Sequence, residues 1–167
     1  MKYIDFYNNY KDQIFSYFFY NLNQDRYLAE DLTSDTFLKG FEKFEGYDKN
    51  RKFSTWIFTI ARNTLYDYYR KKKIDISIDE EMEMSFTEFI RYEEDFEKKI
   101  DTSIHIEQVY LALENIPEGQ RDMIVMKYIQ ELSTKEISNM TGKTEANIRK
   151  TLSRWLLALQ RIPTFTS

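Results

Sequence analysis

Ser133-Thr134-Lys135-Glu136-Ile137-Ser138-Asn139-Met140-Thr141-Gly142-Lys143-Thr144 is the stretch on which the fold of this chain turns. Ser133 and Glu136 have the spacing of a capping box, in which the hydroxyl and the carboxylate each accept a backbone N–H of the other residue. Ile137 and Met140 continue an apolar helical face, Gly142 supplies a helix stop, and Thr144 can cap a second helix. In that second helix Ile148, Leu152, Trp155, Leu156, Leu159 and Ile162 form one apolar stripe that ends at Pro163. Lys150, Ser153 and Arg154 point away from the stripe, Asn147 and Arg149 lie to either side, and Leu157 falls on the polar side. Upstream, Pro117 fits the first turn of a helix running through Met123, Ile124 and Met126-Lys127-Tyr128. A short capped helix, a turn at Gly142-Lys143 and a longer helix with a polar, basic start make a helix-turn-helix pattern, which an ordinary helical hairpin can share.

The N-terminal part predicts three more helices. Ile4, Tyr7, Ile14, Phe15 and Phe18 recur at helical spacing over residues 3–21. A second helix is expected from about Arg26 to Phe44, with Phe37, Gly40, Phe41 and Phe44 on its packed face. Asp31, Asp35, Leu38 and Glu42 line the opposite face, and such a stripe is either a solvated surface or a docking surface. A third helix is expected from about Ser54 to Lys73, with Ile57, Ile60, Ala61, Thr64, Leu65 and Tyr68 inward. Its far side carries Thr55, Thr59, Arg62, Asn63, Tyr66 and Arg70, flanked by Phe58 and Tyr69. The helix dipole accounts for the terminal run Arg70-Lys71-Lys72-Lys73, but not for rings interleaved with guanidinium groups and no central carboxylate. Cations attract phosphate and aromatic faces stack on unpaired bases, so this face suits single-stranded or melting DNA. The segment Glu45-Gly46-Tyr47-Asp48-Lys49-Asn50-Arg51-Lys52-Phe53 reads as a loop able to hold a base.

Composition narrows the function classes. The chain has 167 residues, no cysteine and one histidine, His105, which excludes disulfides, zinc–thiolate sites and histidine-based triads. Four glycines and two prolines argue against turn-rich sheet folds and phosphate-cradling loops. The 28 aromatic residues serve a core, or surfaces that stack on bases. No apolar run spans a membrane and the N-terminus shows no signal-peptide core, so a soluble cytoplasmic protein is expected. The formal charge of −4 is uneven: residues 1–73 are net +3, residues 74–103 net −8 and residues 104–167 net +1. The middle block reads as an acidic linker with helical patches around Phe89 and Phe96, or else as a solvated helical part of one domain. The expected architecture is all-α: an N-terminal helical bundle (1–73) and a C-terminal helix-turn-helix domain (104–167), joined by an acidic linker (74–103).

Ala29-Glu30-Asp31-Leu32-Thr33-Ser34-Asp35-Thr36-Phe37-Leu38 resembles the polymerase-binding segment of bacterial sigma-70 family factors. Phe53-Ser54-Thr55-Trp56-Ile57-Phe58-Thr59-Ile60-Ala61-Arg62-Asn63 resembles their promoter-melting segment. Leu113-Glu114-Asn115-Ile116-Pro117 with Leu132-Ser133-Thr134-Lys135-Glu136-Ile137-Ser138 is similar to their C-terminal domain. Length and layout look like the extracytoplasmic-function group. The resemblance implies that Asp31, Ser34, Asp35 and Leu38 dock on core RNA polymerase, through its beta-prime subunit, with the beta subunit a further contact. It implies that the loop 46–53 with Phe53, Trp56, Thr59, Arg62, Asn63, Tyr66, Tyr69 and Arg70 holds the melted promoter strand. It implies that Thr144, Glu145, Asn147, Arg149, Lys150, Ser153 and Arg154 face the upstream element. The acidic linker would thread near the RNA exit path, and an anti-sigma factor is a candidate further partner.

Under this reading the chain is a specificity subunit without catalytic residues, cofactor or metal. The alternative is a stand-alone helix-turn-helix regulator that binds duplex DNA without polymerase. A nuclease would need a metal-binding carboxylate cluster, and Asp31 with Asp35 has no basic or histidine partner nearby in sequence.

Overall fold

The computed structural model describes residues 2–74, 76 and 106–160, and among them every regular element is helical. The expectations for Phe89, Phe96, Ile162 and Pro163 lie outside the described residues.

Helix α1 spans Tyr3–Asn21, α2 Arg26–Lys43 and α3 Phe53–Lys72. Asp25 caps α2 by accepting the Leu28 N–H at 3.1 Å. A turn through Asn23 and Gln24, both at positive φ, joins α1 to α2. A short 3-10 segment, Phe44–Gly46, leaves α2 for the loop before α3. Ile14, Tyr17 and Phe18 of α1, Ala29 and Phe37 of α2, and Ile57, Ala61, Leu65 and Tyr69 of α3 are buried together. Buried Thr33, Thr36 and Thr64 satisfy their hydroxyls on carbonyls one turn back, so they enter the core without stranded donors. Gly40 marks the crossing of the three helices. A Cβ there would lie 2.6 Å from the Tyr3 hydroxyl and 3.0 Å from Ile57 Cδ1. The Tyr3 hydroxyl donates to the Phe37 carbonyl at this crossing.

The second half contains α4 (Ile106–Asn115), α5 (Asp122–Ile124), α6 (Thr134–Thr141) and α7 (Glu145–Gln160). Helix α5 runs on into a π turn, Val125–Ile129, where Gln130 N–H donates to Val125 O at 2.9 Å. The helix expected to begin at Pro117 begins instead at Asp122. Gln120 N–H closes a turn on Pro117 O, and Gly119 sits at φ 94, which a helix cannot accommodate. The capping box holds: Glu136 N–H donates to Ser133 Oγ at 3.0 Å and Ser133 N–H to Glu136 Oε2 at 2.8 Å. Gly142 closes α6 at φ 73, and Thr144 Oγ1 accepts Asn147 N–H at 3.1 Å. Ile148, Leu152 and Leu156 of α7 are buried against Ile137, Met140 and the apolar run Met123–Met126.

Contacts also join the two halves, and the expected linker lies almost wholly outside the described residues. Helix α1 packs on the π turn and α3 packs on α6. Tyr20 and Tyr110 stack across the boundary with centroids 4.9 Å apart.

Candidate nucleic-acid interface

The outer side of α2 is free. Asp31 and Ser34 are exposed, Leu38 is 59% exposed, and Asp35 forms a surface ion pair with Lys39 at 3.1 Å. Phe41, expected on the packed face, is 63% exposed and only leans its ring on Tyr3. Tyr27, which the sequence reading passed over, is 81% exposed. Helical spacing puts Tyr27, Asp31, Ser34, Leu38 and Phe41 along one stripe. The signal for Tyr27 was its register, four residues before Asp31.

The loop before α3 and the start of that helix form an aromatic cluster. Phe6 stacks on Phe53 with centroids 4.0 Å apart, and Tyr47 tilts against Trp56 at 4.9 Å. Phe53 is buried at the base of this cluster, whereas Trp56 and Thr59 are half-buried. Asn63 and Arg70 are exposed, and Arg70 pairs with Asp67 at 2.9 Å. Tyr69 and Phe58 are core residues, a correction to their placement beside the outer face. The Tyr69 hydroxyl donates to the Asn21 carbonyl at 3.2 Å, and burial pushes its pKa well up. A ring at the edge of a helical stripe tips inward when a cavity between neighbouring helices will accept it.

Arg62 and Tyr66 meet Asp122 of the second half. Arg62 Nε donates to Asp122 Oδ2 at 3.0 Å, the Tyr66 hydroxyl donates to the same oxygen at 2.9 Å, and the Tyr17 hydroxyl donates to Oδ1 at 2.5 Å. The Arg62 guanidinium also lies 4.3 Å from the Tyr66 ring centroid. Burial disfavours the charge on Arg62, but Asp122, Tyr66 and Tyr17 together outweigh it and hold the guanidinium's pKa above its ordinary value. Burial and then the Asp122 charge raise the pKa of both Tyr17 and Tyr66. Lys143 is half-buried beside the cluster. Desolvation and then the Arg62 charge lower its pKa. The sequence reading gave Asp122 and Tyr17 no role.

On α7, Thr144, Glu145 and Asn147 are exposed, and Arg149, Lys150 and Arg154 are half-buried. Ser153, expected to point outward, is buried, and so is Thr151 beside it. Leu157 is half-buried. The open part of this helix is its first two turns. Lys52 of the loop reaches Glu136 at 3.4 Å, and the Ser133 backbone N–H holds the Glu136 carboxyl below its ordinary pKa.

A three-helix unit with an aromatic, basic helix is thus followed by a capped helix-turn-helix. Residues 6–74 match Sigma-70 region 2, and residues 106–159 match Sigma-70 region 4. The chain is 31% identical to the ECF RNA polymerase sigma factor SigW of Bacillus subtilis, over 91% of this chain and 83% of that protein. It is 28% identical to SigM of the same organism, over 90% and 88%. The solved structure of the sigma factor RpoE in complex with the anti-sigma factor NepR, from Bartonella quintana, shares the fold. Its TM-score is 0.64 at 20% identity, covering 93% of this chain and 94% of that one. The chain belongs to the extracytoplasmic-function sigma factors of the sigma-70 family, which makes it a transcription initiation factor and not an enzyme. Among the described residues no helix is long and apolar enough to cross a membrane.

Proposed function

We propose that this chain joins core RNA polymerase in the cytoplasm, directs it to a promoter and holds the melted strand. The α2 stripe docks on the polymerase: Leu38 and Tyr27 supply apolar contact, and Asp31, Ser34 and Asp35 supply polar and charged contact. The loop 46–53 with Trp56, Thr59, Arg62, Asn63, Tyr66 and Arg70 holds the non-template strand, while Phe53 and Tyr69 support that surface from the core. Thr144, Glu145, Asn147, Arg149, Lys150 and Arg154, on the first turns of α7 and just beyond, face the upstream duplex. Residues 1–73 and 104–167 act as the two working units, with 74–103 between them. An anti-sigma factor is a candidate regulator.

The observation that carries this reading is the exposed α2 stripe. A stand-alone duplex-binding regulator has no use for a solvent-facing run of Tyr27, Leu38 and Phe41 beside two carboxylates, whereas a polymerase subunit needs a docking face. Copurification with core polymerase, followed by run-off transcription on a genomic library, tests it. The expected result is a stable complex and discrete transcripts. A chain that binds duplex DNA but leaves core polymerase unbound overturns it.

A further inference from the structure

Arg121 and Asp122 are neighbours in sequence and both are buried, at 8% and 4% exposure, yet only one of them is matched. Asp122 receives three donors. The turn 117–120 folds Arg121 back, so that its Nε donates to the Ile116 carbonyl at 2.8 Å. Among the described residues no acceptor takes the two terminal nitrogens of its guanidinium. A buried cation is costly unless something pairs with it. Burial lowers the pKa of Arg121, and Tyr69, Glu118 and Glu114 do not restore it. The fork borders a cavity of about 270 Å³, at the small end for ligand sites, which run from about 300 Å³ upward. Tyr20, Tyr110 and Leu113 line this cavity, and the two tyrosine rings stack with centroids 4.9 Å apart. Asn23, Gln24 and Glu114, all exposed, complete its rim.

We infer that this cavity is a binding site for a small aromatic amino acid: the carboxylate on the Arg121 fork, the ring against Tyr20, Tyr110 and Leu113, and the ammonium toward Glu114. With Nε already engaged, a planar guanidinium offers two parallel N–H bonds from its far end, the geometry that a carboxylate accepts. Stacked rings and a leucine make a wall that favours a flat apolar body. Glu114 lines the cavity and Glu118 acts on the same guanidinium, so the surroundings repel a phosphate dianion and favour a cation beside the carboxylate. The small volume favours one ring over a nucleotide. None of the lining residues belongs to the α2 stripe or to the surfaces proposed above for DNA, so the site stands or falls apart from the sigma-factor role.

Isothermal titration calorimetry of the full chain with L-phenylalanine tests this, with phenylacetate, phenethylamine and phenyl phosphate as partial probes. L-phenylalanine should bind saturably, and phenylacetate, which lacks the ammonium, about threefold more weakly. Phenethylamine, which lacks the carboxylate, should bind at least about tenfold more weakly, and phenyl phosphate more weakly than phenylacetate. The melting temperature should rise with L-phenylalanine concentration. Arg121→Lys keeps the charge but loses the fork, and should weaken both carboxylates by about tenfold. Glu114→Gln should weaken L-phenylalanine by about threefold and leave phenylacetate unchanged. No saturable heat at millimolar L-phenylalanine overturns the inference. So does tighter binding of phenyl phosphate than of phenylacetate, or equal affinity in the parent and a folded Arg121→Lys chain. Should Arg121→Lys lose its helical circular dichroism, Glu114→Gln decides, since its position is exposed. An unchanged ratio of L-phenylalanine to phenylacetate affinity in that variant counts equally against the inference.

Discussion

Helices α2 and α3 each turn a non-core face outward, and the structure treats the two faces oppositely. Along α2, Tyr27, Leu38 and Phe41 stand open, at 81%, 59% and 63% exposure. Along α3, the Arg62 side chain is only 14% exposed, because Asp122 sits on it. Both faces look alike to a periodicity argument, which reports only what does not belong to the helix's own core. Whether such a face is free or covered depends on residues far away in the chain. Asp122 lies 60 residues from Arg62 and 105 from Tyr17. The α2 face is open to a partner, whereas Asp122 covers Arg62 on the other.

The largest expected effect breaks the free face. Reversing Asp31 and Asp35 to lysine should weaken core-polymerase binding by about a hundredfold, the order found when complementary charges at an interface are inverted. The fold should survive. The reversal breaks the exposed Asp35–Lys39 ion pair at 3.1 Å, and such helical pairs contribute only about 0.3–0.5 kcal/mol. Surface plasmon resonance against immobilised core enzyme reads the first number and urea denaturation the second. Unchanged affinity would return the stripe to an ordinary solvated surface.

A second substitution attacks the scaffold that both faces share. Gly40→Ala puts a methyl group 2.6 Å from the Tyr3 hydroxyl, where α1, α2 and α3 cross. Overpacking of this kind costs about 1–3 kcal/mol, against less than about 1 kcal/mol gained from helix propensity. The urea midpoint should fall. A rise would mean that Tyr3 swings clear at no cost.

The helices themselves were legible. The observed bounds of α1, α2 and α3 fall within about one residue of those the apolar spacing implies, because each helix buries a stripe that its own sequence spells out. The capping box and Gly142 were equally readable, since both are local chemistry. What stayed hidden is long-range. Asp122 follows Arg121 and precedes an apolar run, so it reads as the polar edge of a helix, and its three hydrogen bonds reach residues no periodicity connects to it. Tyr69 and Ser153 were misplaced for a related reason. Both sit at the margin of a helical stripe, where packing of the neighbouring helix decides inside from outside.

Alkaline titration sharpens the comparison on the covered side. Tyr17 and Tyr66 keep their protons above the ordinary value of 10.0, held by burial and by the Asp122 charge. The folded chain therefore binds more protons than the unfolded chain above pH 10. Their contribution to stability is intact below that value and is lost as pH climbs through the raised pKa values. The melting temperature should drop steeply above about pH 10, and phenolate absorbance near 295 nm should lag behind that of the urea-unfolded chain. Tyr17→Phe should flatten the decline. An equally steep decline in that variant would place the alkaline sensitivity elsewhere.

The smallest expected effect separates two kinds of contact on α7, the second open surface. Asn147 is exposed on the first turn, and Lys150 lies one turn further along, half-buried with its ammonium on a flexible stem. A lysine that meets phosphate releases a counterion and carries no sequence information. Lys150→Ala should therefore weaken holoenzyme binding evenly across promoters and reduce the slope of log K against log salt by about one. An asparagine facing the groove can pair with an adenine edge, so Asn147→Ala should change preference at one position by about 1–3 kcal/mol and leave the salt slope alone. Selection from a randomised upstream element, repeated at several salt concentrations with the assembled holoenzyme, reads both quantities together. If Lys150→Ala alters preference and Asn147→Ala alters only the slope, the two roles are exchanged, and the helix enters the groove in a different rotation. If neither substitution moves either quantity, the first turns of α7 do not touch DNA, and their exposure serves a protein partner, as proposed for α2.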